Sequence, residues 1–291
     1  MHAEPPRGFV PARIVRRDDH APDLATFWLA PDVPVPFRPG QYVTLAVRRP
    51  DDTFVRRAYS VASAPHEAEI ELFVECVGHG ALTPCLFRLA DGDTVWVRAR
   101  AAGRFLLDPA RSRHVMVATV TGVAPFRAML RDHARALEAG EPRDDRFLVL
   151  YGASHPEELG PYADELAALA ADGWLTLVPT VSRPWASPGW TGETGRAEEV
   201  LRKHLDARGW DPAAVAGYAC GNPDMVAAVP GILKRAGVDE KHVHEEVYYT
   251  SSGDAVPIAG QADDAPATPK PPPARPPGPP GGIVLKSVPR A

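Results

Sequence analysis

Cysteine is scarce in this chain. Cys76, Cys85 and Cys220 are spread over 291 residues with no Cys-x-x-Cys spacing. Structural zinc sites and iron–sulfur clusters usually draw on four ligating side chains, so neither can be assembled from these thiols. An odd, dispersed set makes no disulfide framework either. Excess basic charge is lacking too: 32 Lys and Arg against 37 Asp and Glu leave a net charge of -5. That balance speaks against nucleic-acid binding as the main task. Long apolar runs are missing as well. The opening "MHAEPPRGFVPARIVRR" has no apolar core of a leader peptide, and charges or prolines break every longer apolar stretch. No membrane insertion and a cytoplasmic location are therefore expected. Histidines are scattered. His242 and His244 fall on one strand face, where a half-exposed strand edge is a better reading than a metal site.

Proline, by contrast, is plentiful, with 33 residues. The run "APATPKPPPARPPGPPGG" can build neither helix nor sheet and predicts a disordered or polyproline tail over 254–291. Its tip, "GGIVLKSVPRA", reads as an unselected end or as a peptide that docks a partner. The folded part should end near Tyr249. With 45% hydrophobic and 24% charged residues, that part suits two medium domains.

The two halves differ in rhythm. Up to about Leu107 the chain reads as short strands: "QYVTLAV", "AYSVAS", "EIELFVECV" and "DTVWVRA", punctuated by "FRPGQ" and "LADGD". Such a run predicts an antiparallel barrel or sandwich over 9–108. After "DPARSR", buried strand candidates "HVMVAT", "RFLVLYG", "WLTLVPTV" and "VAGYACG" alternate with amphipathic helices such as "PFRAMLRDHARAL" and "PYADELAALAA". That alternation is the βαβ pattern of a doubly wound, Rossmann-like parallel sheet, expected over 112–250.

Two stretches of the first half could carry chemistry. In "RRAYSVASAP", alternation places Arg57 and Tyr59 on one strand face. A guanidinium beside an aromatic ring suits a ligand with a pyrophosphate at one end and a flat ring at the other. An ordinary exposed strand with an Arg–Tyr contact explains the same residues equally well. In "ECVGHGALTPCLF", Gly78 and Gly80 precede a short helix that Thr83 is expected to cap, with backbone amides open to an anion.

"RAYS" followed by "GALTP" resembles the FAD-binding barrel of the ferredoxin–NADP(+) reductase family. "TGVAPFRAML", "LVLYGAS", "TVSRP" and "YACGNPDMV" resemble that family's NAD(P)-binding motifs, in the same order, from about Pro11 to Tyr249. The resemblance implies FAD contacts at Arg57, Ala58, Tyr59 and Ser60, and at Val77, Gly80, Leu82 and Thr83. Arg57 would hold the pyrophosphate, Tyr59 would stack on the flavin ring, and Ser60 would lie near flavin N5. Thr121, Gly122 and Pro125 match the turn under the nicotinamide nucleotide, and Cys220 with Gly221 matches the loop beside the nicotinamide.

Val120 departs from the family's Gly-Thr-Gly. Valine suits extended backbone, so the strand is expected to run one residue further, with the helix start after Gly122 still receiving the pyrophosphate. NADP(H) is favoured over NAD(H), because Ser182, Arg183 and Arg196 fall where NADPH-dependent relatives bind the 2′-phosphate; Ser154 stands where many of them have a further arginine. Near the end, Glu245 or Glu246 could supply an acidic group, and Tyr248 or Tyr249 an aromatic cover. Ser60, Cys220 and Glu246 are the catalytic candidates, and Tyr248 is the candidate ring partner.

The implied reaction is hydride transfer from NADPH to FAD, then single electrons to a separate ferredoxin, flavodoxin or similar carrier. Arg48, Arg49, Arg56, Arg98, Arg100 and Arg104 could form a basic surface for an acidic carrier, or simply a solvated one. Two alternatives stand beside this reading. One is an NADH-dependent electron-transfer component of an oxygenase or hydrogenase complex; the other is an FAD-binding relay without hydride transfer.

Overall fold

A computed structural model describes residues 4–247. Tyr248, Tyr249 and the proline-rich tail lie outside the described residues. The first half forms strands β1 (Phe9–Ala21), β2 (Leu24–Pro31), β3 (Tyr42–Arg48), β4 (Phe54–Ser60), β5 (Ile70–Glu75) and β6 (Thr94–Arg98), with a short helix α1 (Thr83–Leu86) between the last two. They make one antiparallel sheet in the order β4-β3-β6-β1-β2-β5. Register shifts at Ile14/Arg16 and Asp19/Ala21 bend the long β1. The sheet curls until its edges approach, and Ala62, just past β4, donates its N–H to the carbonyl of Glu71 in β5 at 2.8 Å. Alternate residues such as Ile14, Phe27, Leu45, Leu72 and Val97 fill the interior of this barrel.

The second half is an all-parallel sheet in the order β10-β9-β8-β7-β11-β12. Its strands are β7 (Arg113–Thr119), β8 (Arg146–Ala153), β9 (Leu175–Val181), β10 (Glu193–Thr194), β11 (Val215–Gly221) and β12 (Val243–Val247). The helices are α2 (Ala124–Glu138), α3 (Tyr162–Leu169), α4 (Ala197–Asp206) and α5 (Pro223–Arg235). Period-two alternation sorts each central strand between two cores. Met116, Phe147, Val149, Tyr151 and Tyr218 face α2 and α3, whereas Val115, Val117, Leu148, Leu150 and Ala219 face α4 and α5. No helix among the described residues is long and apolar enough to cross a membrane.

The first of these cores does not stop at the parallel sheet. Leu24, Ala62, Phe73 and Phe105 from the barrel half pack into it with Phe126 and Met129 of α2 and with Tyr162 of α3. β5 makes this possible because Ile70, Leu72 and Val74 point into the barrel while Glu71 and Phe73 point at the helices. At the seam Arg127 of α2 is buried against Glu71 and Glu165, and burial pushes the Glu71 carboxyl above its ordinary range despite that cation.

The expectation that His242 and His244 share a strand face is corrected. His242 ends a 3-10 turn (Glu240–His242), where its Nδ1 lies 2.6 Å from Asp108 Oδ2. His244 alone is on β12, stacked on Tyr218. Among the described residues no cluster of three or more His, Cys, Asp or Glu side chains could hold a metal ion.

His133 of α2 is buried between Phe147 and Trp174, with no hydrogen-bonding partner for either ring nitrogen. Burial pushes its pKa down to about 4, against the pull of the Asp145 carboxylate 3.9 Å away. The unfolded chain takes up this proton below about 6.5 and the folded chain does not. The stability involved is present above pH 6.5 and is lost as pH falls toward 4, by about 3 kcal/mol. His133→Leu should therefore flatten the loss of stability between pH 6.5 and 4, read from urea midpoints; an unchanged slope would contradict this.

Candidate functional site

Ser60 closes β4 and is buried, and its Oγ donates to Glu246 Oε1 at 2.5 Å across 186 positions of sequence. Glu246 lies in β12, so this contact joins the end of a barrel strand to the last strand of the parallel sheet. Burial pushes the Glu246 carboxyl up to about 7, with the Ser60 hydroxyl pulling in the opposite direction. Cys220 pairs with Glu246 across the β11–β12 ladder, but its side chain is fully buried in the core beside Ala118 and Tyr218. Ser60 and Glu246 thus meet directly, while Cys220 reaches the same place through its backbone.

Below Ser60 on β4, Tyr59 is half-buried against the barrel core and Arg57 is exposed. Burial raises the Tyr59 hydroxyl pKa, which keeps that ring uncharged. The Arg57 guanidinium donates to the Arg56 carbonyl and carries no carboxylate among the described residues, leaving its planar fork open to phosphate oxygens. Ala58 lies between them, half-buried. The loop before α1 differs from expectation. Thr83 does not cap the helix, because Leu82 is the N-cap residue and Thr83 is already helical. Its hydroxyl instead turns back, accepting from Val77 N at 3.0 Å and donating to Val77 O at 3.2 Å. Thr83 therefore holds the Val77–Gly80 turn closed, with Leu82 buried beneath it.

In the parallel sheet the chain reverses its direction of growth between β7 and β11, the place where open α/β sheets bind ligands. A cleft of about 400 Å³ opens there at the carboxyl ends of the strands, lined among others by Thr121, Ser182, Arg183, Arg196, Gly221 and Asn222. Gly122 sits under it. A Cβ on Gly122 would lie 2.1 Å from the Cys220 carbonyl oxygen, so only glycine lets the turn pack onto the end of β11. Pro125 follows, buried in the first turn of α2. The expectation for Val120 is overturned: the strand stops at Thr119, and Val120 opens a 3-10 turn at φ +44°. The site demands the left-handed backbone that glycine supplies freely, and a β-branched residue is held in it by the surrounding packing.

The cleft carries both signs of charge. Arg183, just past β9, and Arg196, the N-cap residue of α4, are exposed in its lining, and neither guanidinium is paired among the described residues. Asp23 and Glu75 of the barrel half line it too, as do Glu158 after β8 and Glu198 in the first turn of α4. Burial raises the Glu75 carboxyl pKa, and the Asp23 and Glu158 charges add to the rise. The amides after β8 are already occupied, since Glu158 Oε2 accepts from Ser154 N at 2.7 Å and from His155 N at 3.2 Å. An anion entering this cleft thus finds Arg183 and Arg196 rather than those amides.

Family models for an oxidoreductase FAD-binding domain and an oxidoreductase NAD-binding domain match residues 11–105 and 116–230. A ferredoxin–NADP reductase B of Sorangium cellulosum is 37% identical over 223 residues, 73% of this chain and 85% of that protein. The chain belongs to the ferredoxin–NADP reductase family. It is an FAD-dependent NAD(P)H oxidoreductase that passes electrons on to a carrier. The reductase component of a phenol 2-monooxygenase from Pseudomonas is 30% identical over 86% of this chain and 67% of its own length. A Neisseria gonorrhoeae ferredoxin–NADP+ reductase crystallised with FAD and NADP superposes with a TM-score of 0.72 at 25% identity, over 83% of this chain and 99% of that one. The residues present fit both cofactors: an exposed arginine and a half-buried tyrosine on the barrel, and a cleft at the switch point with two exposed arginines in its lining.

Several residues at the cleft and the seam are little marked by the sequence. Asn222 caps α5, its Oδ1 accepting from Asp224 N at 2.9 Å, and its own N–H donates to Thr119 Oγ1 at 2.7 Å. The Asn-Pro pair after an apolar strand was the available signal. Arg127, Glu71 and the cleft carboxylates Asp23, Glu75 and Glu158 had none, because tertiary contacts alone bring them together. Two neighbouring substitutions should behave oppositely. Gly122→Ala should lower stability by about 3 kcal/mol through its clash with Cys220. Val120→Gly should stay within about 1 kcal/mol of the parent, because released strain offsets the lost side chain. Denaturant unfolding of both variants checks the pair, and equal losses would refute it.

Proposed function

We propose that this reductase draws its hydride from NADPH and delivers single electrons to a separate ferredoxin- or flavodoxin-like carrier. The observation that carries the reading is the Ser60–Glu246 contact, which joins the β4 end to β12 near the cleft at the carboxyl ends of the parallel strands. FAD, when bound, supplies the chemistry by accepting two electrons as a hydride and releasing them singly. Arg57 is the partner for its pyrophosphate and Tyr59 for its ring, with Ala58, Val77, Gly80, Leu82 and Thr83 completing the cradle. Thr121, Gly122, Pro125 and Gly221 form the floor for the nicotinamide nucleotide, with Ser60, Cys220 and Glu246 beside the reacting atoms. Tyr248, the ring partner suggested by the resemblance, lies outside the described residues.

The NADPH preference is supported by charge. Ser182, Arg183 and Arg196 offer unpaired cations and a hydroxyl at the cleft, while Glu158 takes the competing amides. Arg183→Ala or Arg196→Ala should each lower kcat/KM for NADPH about tenfold and leave the NADH value unchanged, by analogy with the strength of charge-assisted phosphate contacts. Anaerobic mixing tests the function itself: NADPH should bleach the yellow flavin band promptly, and faster than NADH. A band that persists would sink the hydride-transfer role.

For the carrier, Arg48 is a poor docking contact, since it lies between Phe54 and Trp96 and pairs with Asp52 at 2.9 Å. The remaining barrel arginines stay candidates for an acidic carrier. The likeness to the phenol monooxygenase reductase component favours a second reading, in which the carrier is an oxygenase partner and NADH the donor. Faster bleaching by NADH would select it. Because burial holds the Glu246 carboxyl near neutrality, the pH profile of hydride transfer should bend near 7, and Glu246→Gln should remove that bend.

A further inference from the structure

Arg127 lies five residues beyond Gly122, on the helix that continues the turn beneath the nicotinamide nucleotide, and its side chain is 7% exposed. One end nitrogen, Nη1, donates to the carbonyl of Ala62 at 2.7 Å and to Glu71 Oε2 at 2.8 Å. Nε donates to Glu165 Oε2 of α3 at 2.8 Å. The guanidinium also faces the Tyr162 ring, whose hydroxyl donates to the other Glu71 oxygen at 2.7 Å. Ala62 is two residues past Ser60. Its own N–H is tied to the Glu71 carbonyl, and the Glu71 N–H to Ser63 Oγ at 3.0 Å.

These bonds make a short noncovalent path between the two halves of the site, from Ser60 through the Ala62 carbonyl and Arg127 to the Gly122 turn. Around them Leu24, Phe73, Phe105, Phe126 and Met129 give the seam an apolar filling, and Ser60–Glu246, Thr26–Tyr162 and Arg131–Glu67 are its other polar crossings. Apolar contact is non-directional and tolerates sliding, whereas hydrogen bonds to a planar guanidinium hold angle as well as distance. Burying such a charge pair adds little net stability compared with an apolar pair of the same size. What it adds here is a defined geometry, at a place where reacting atoms must approach within about 3.5 Å.

We propose that Arg127 is a positioning residue that sets the relation between the flavin-bearing barrel strand and the nicotinamide-bearing turn, and so controls hydride transfer without touching either cofactor. The proposal rests on the hydride-transfer reading above, and a wild-type flavin that NADPH does not bleach would sink that reading rather than this one.

Lysine at 127 keeps the charge but cannot reach Ala62, Glu71 and Glu165 together. In Arg127→Lys, anaerobic stopped-flow at saturating NADPH should show hydride transfer slowed about tenfold or more, the size expected for a misplacement well below one ångström. Flavin retention, NADP+ affinity and the rate at which ferricyanide oxidises dithionite-reduced enzyme should stay within about twofold of wild type, since those steps do not need the two halves aligned. Glu165→Gln, altering the partly exposed partner that Arg127 shares with Arg131, should show the same split with about a threefold loss, and keeps the test alive if the larger changes fail to fold. In the flavin-free chain, Arg127→Met should raise amide hydrogen exchange across residues 62–71. Wild-type hydride transfer in a well-folded Arg127→Lys overturns the proposal. So does a parallel fall in flavin retention and in both half-reactions, which would mark a merely structural role.

Discussion

A buried cation at a domain seam orders this molecule. Arg127 reaches out of a helix of the parallel-sheet half and is met by a carbonyl and a carboxylate of the barrel half, with a second carboxylate from α3 behind it. An isolated buried charge would be prohibitive, so the three acceptors must be present together, and each comes from a different part of the chain. With the Ser60–Glu246, Thr26–Tyr162 and Arg131–Glu67 contacts across the same seam, they set the relative placement of the two sheets. Around this point the apolar core runs without a break from β2 and β5 into α2 and α3. The two halves have separate sheets, yet they share one interior.

That placement gives the site its two faces. β4 ends at Ser60 beside Glu246 of β12, and the carboxyl ends of β7 and β11 open beneath. The tightness of the turn at Gly122 follows from the same demand for closeness: its Cα rests on the Cys220 carbonyl, and any side chain would push the turn away from β11. Val120 shows the demand from the other side. The turn needs a left-handed residue there, and a valine is held in that conformation although glycine would adopt it without strain. Charge adds to this, because Arg183 and Arg196 stand in the cleft lining, where the phosphates of an anionic dinucleotide can meet them.

How much of this was legible in advance depends on how local each feature is. The switch from strand-and-turn to strand-and-helix after "DPARSR" was readable from periodicity, and β3 and β5 through β9 fall on the stretches picked out by alternation or apolar run, whereas β4 begins four residues before "AYSVAS" and ends inside it. β1 and β2 were less visible, because bulges break the alternation of the one and the other begins with four buried residues in a row. Thr83 was misjudged for a physical reason: a threonine before an apolar run suits a helix cap, but the Val77 amide six residues earlier won its hydroxyl. Val120 was misjudged because residue type suggested extended backbone, while the close approach of two strand ends dictated the turn.

Local chemistry in the chain by itself determined the two classes of sheet, the order of motifs and the absence of a thiolate cluster. These follow from side-chain alternation, turn propensity and ligand preference, all of which act over a few residues. Tertiary structure alone decided that Ser60 meets Glu246 across 186 positions, that Glu75 and Asp23 line one cleft with Arg183, and that Glu71 waits in an apolar strand for Arg127. The reason is common to all three: a carboxylate in a sequence carries no mark of its partner until folding removes the water that would otherwise satisfy it.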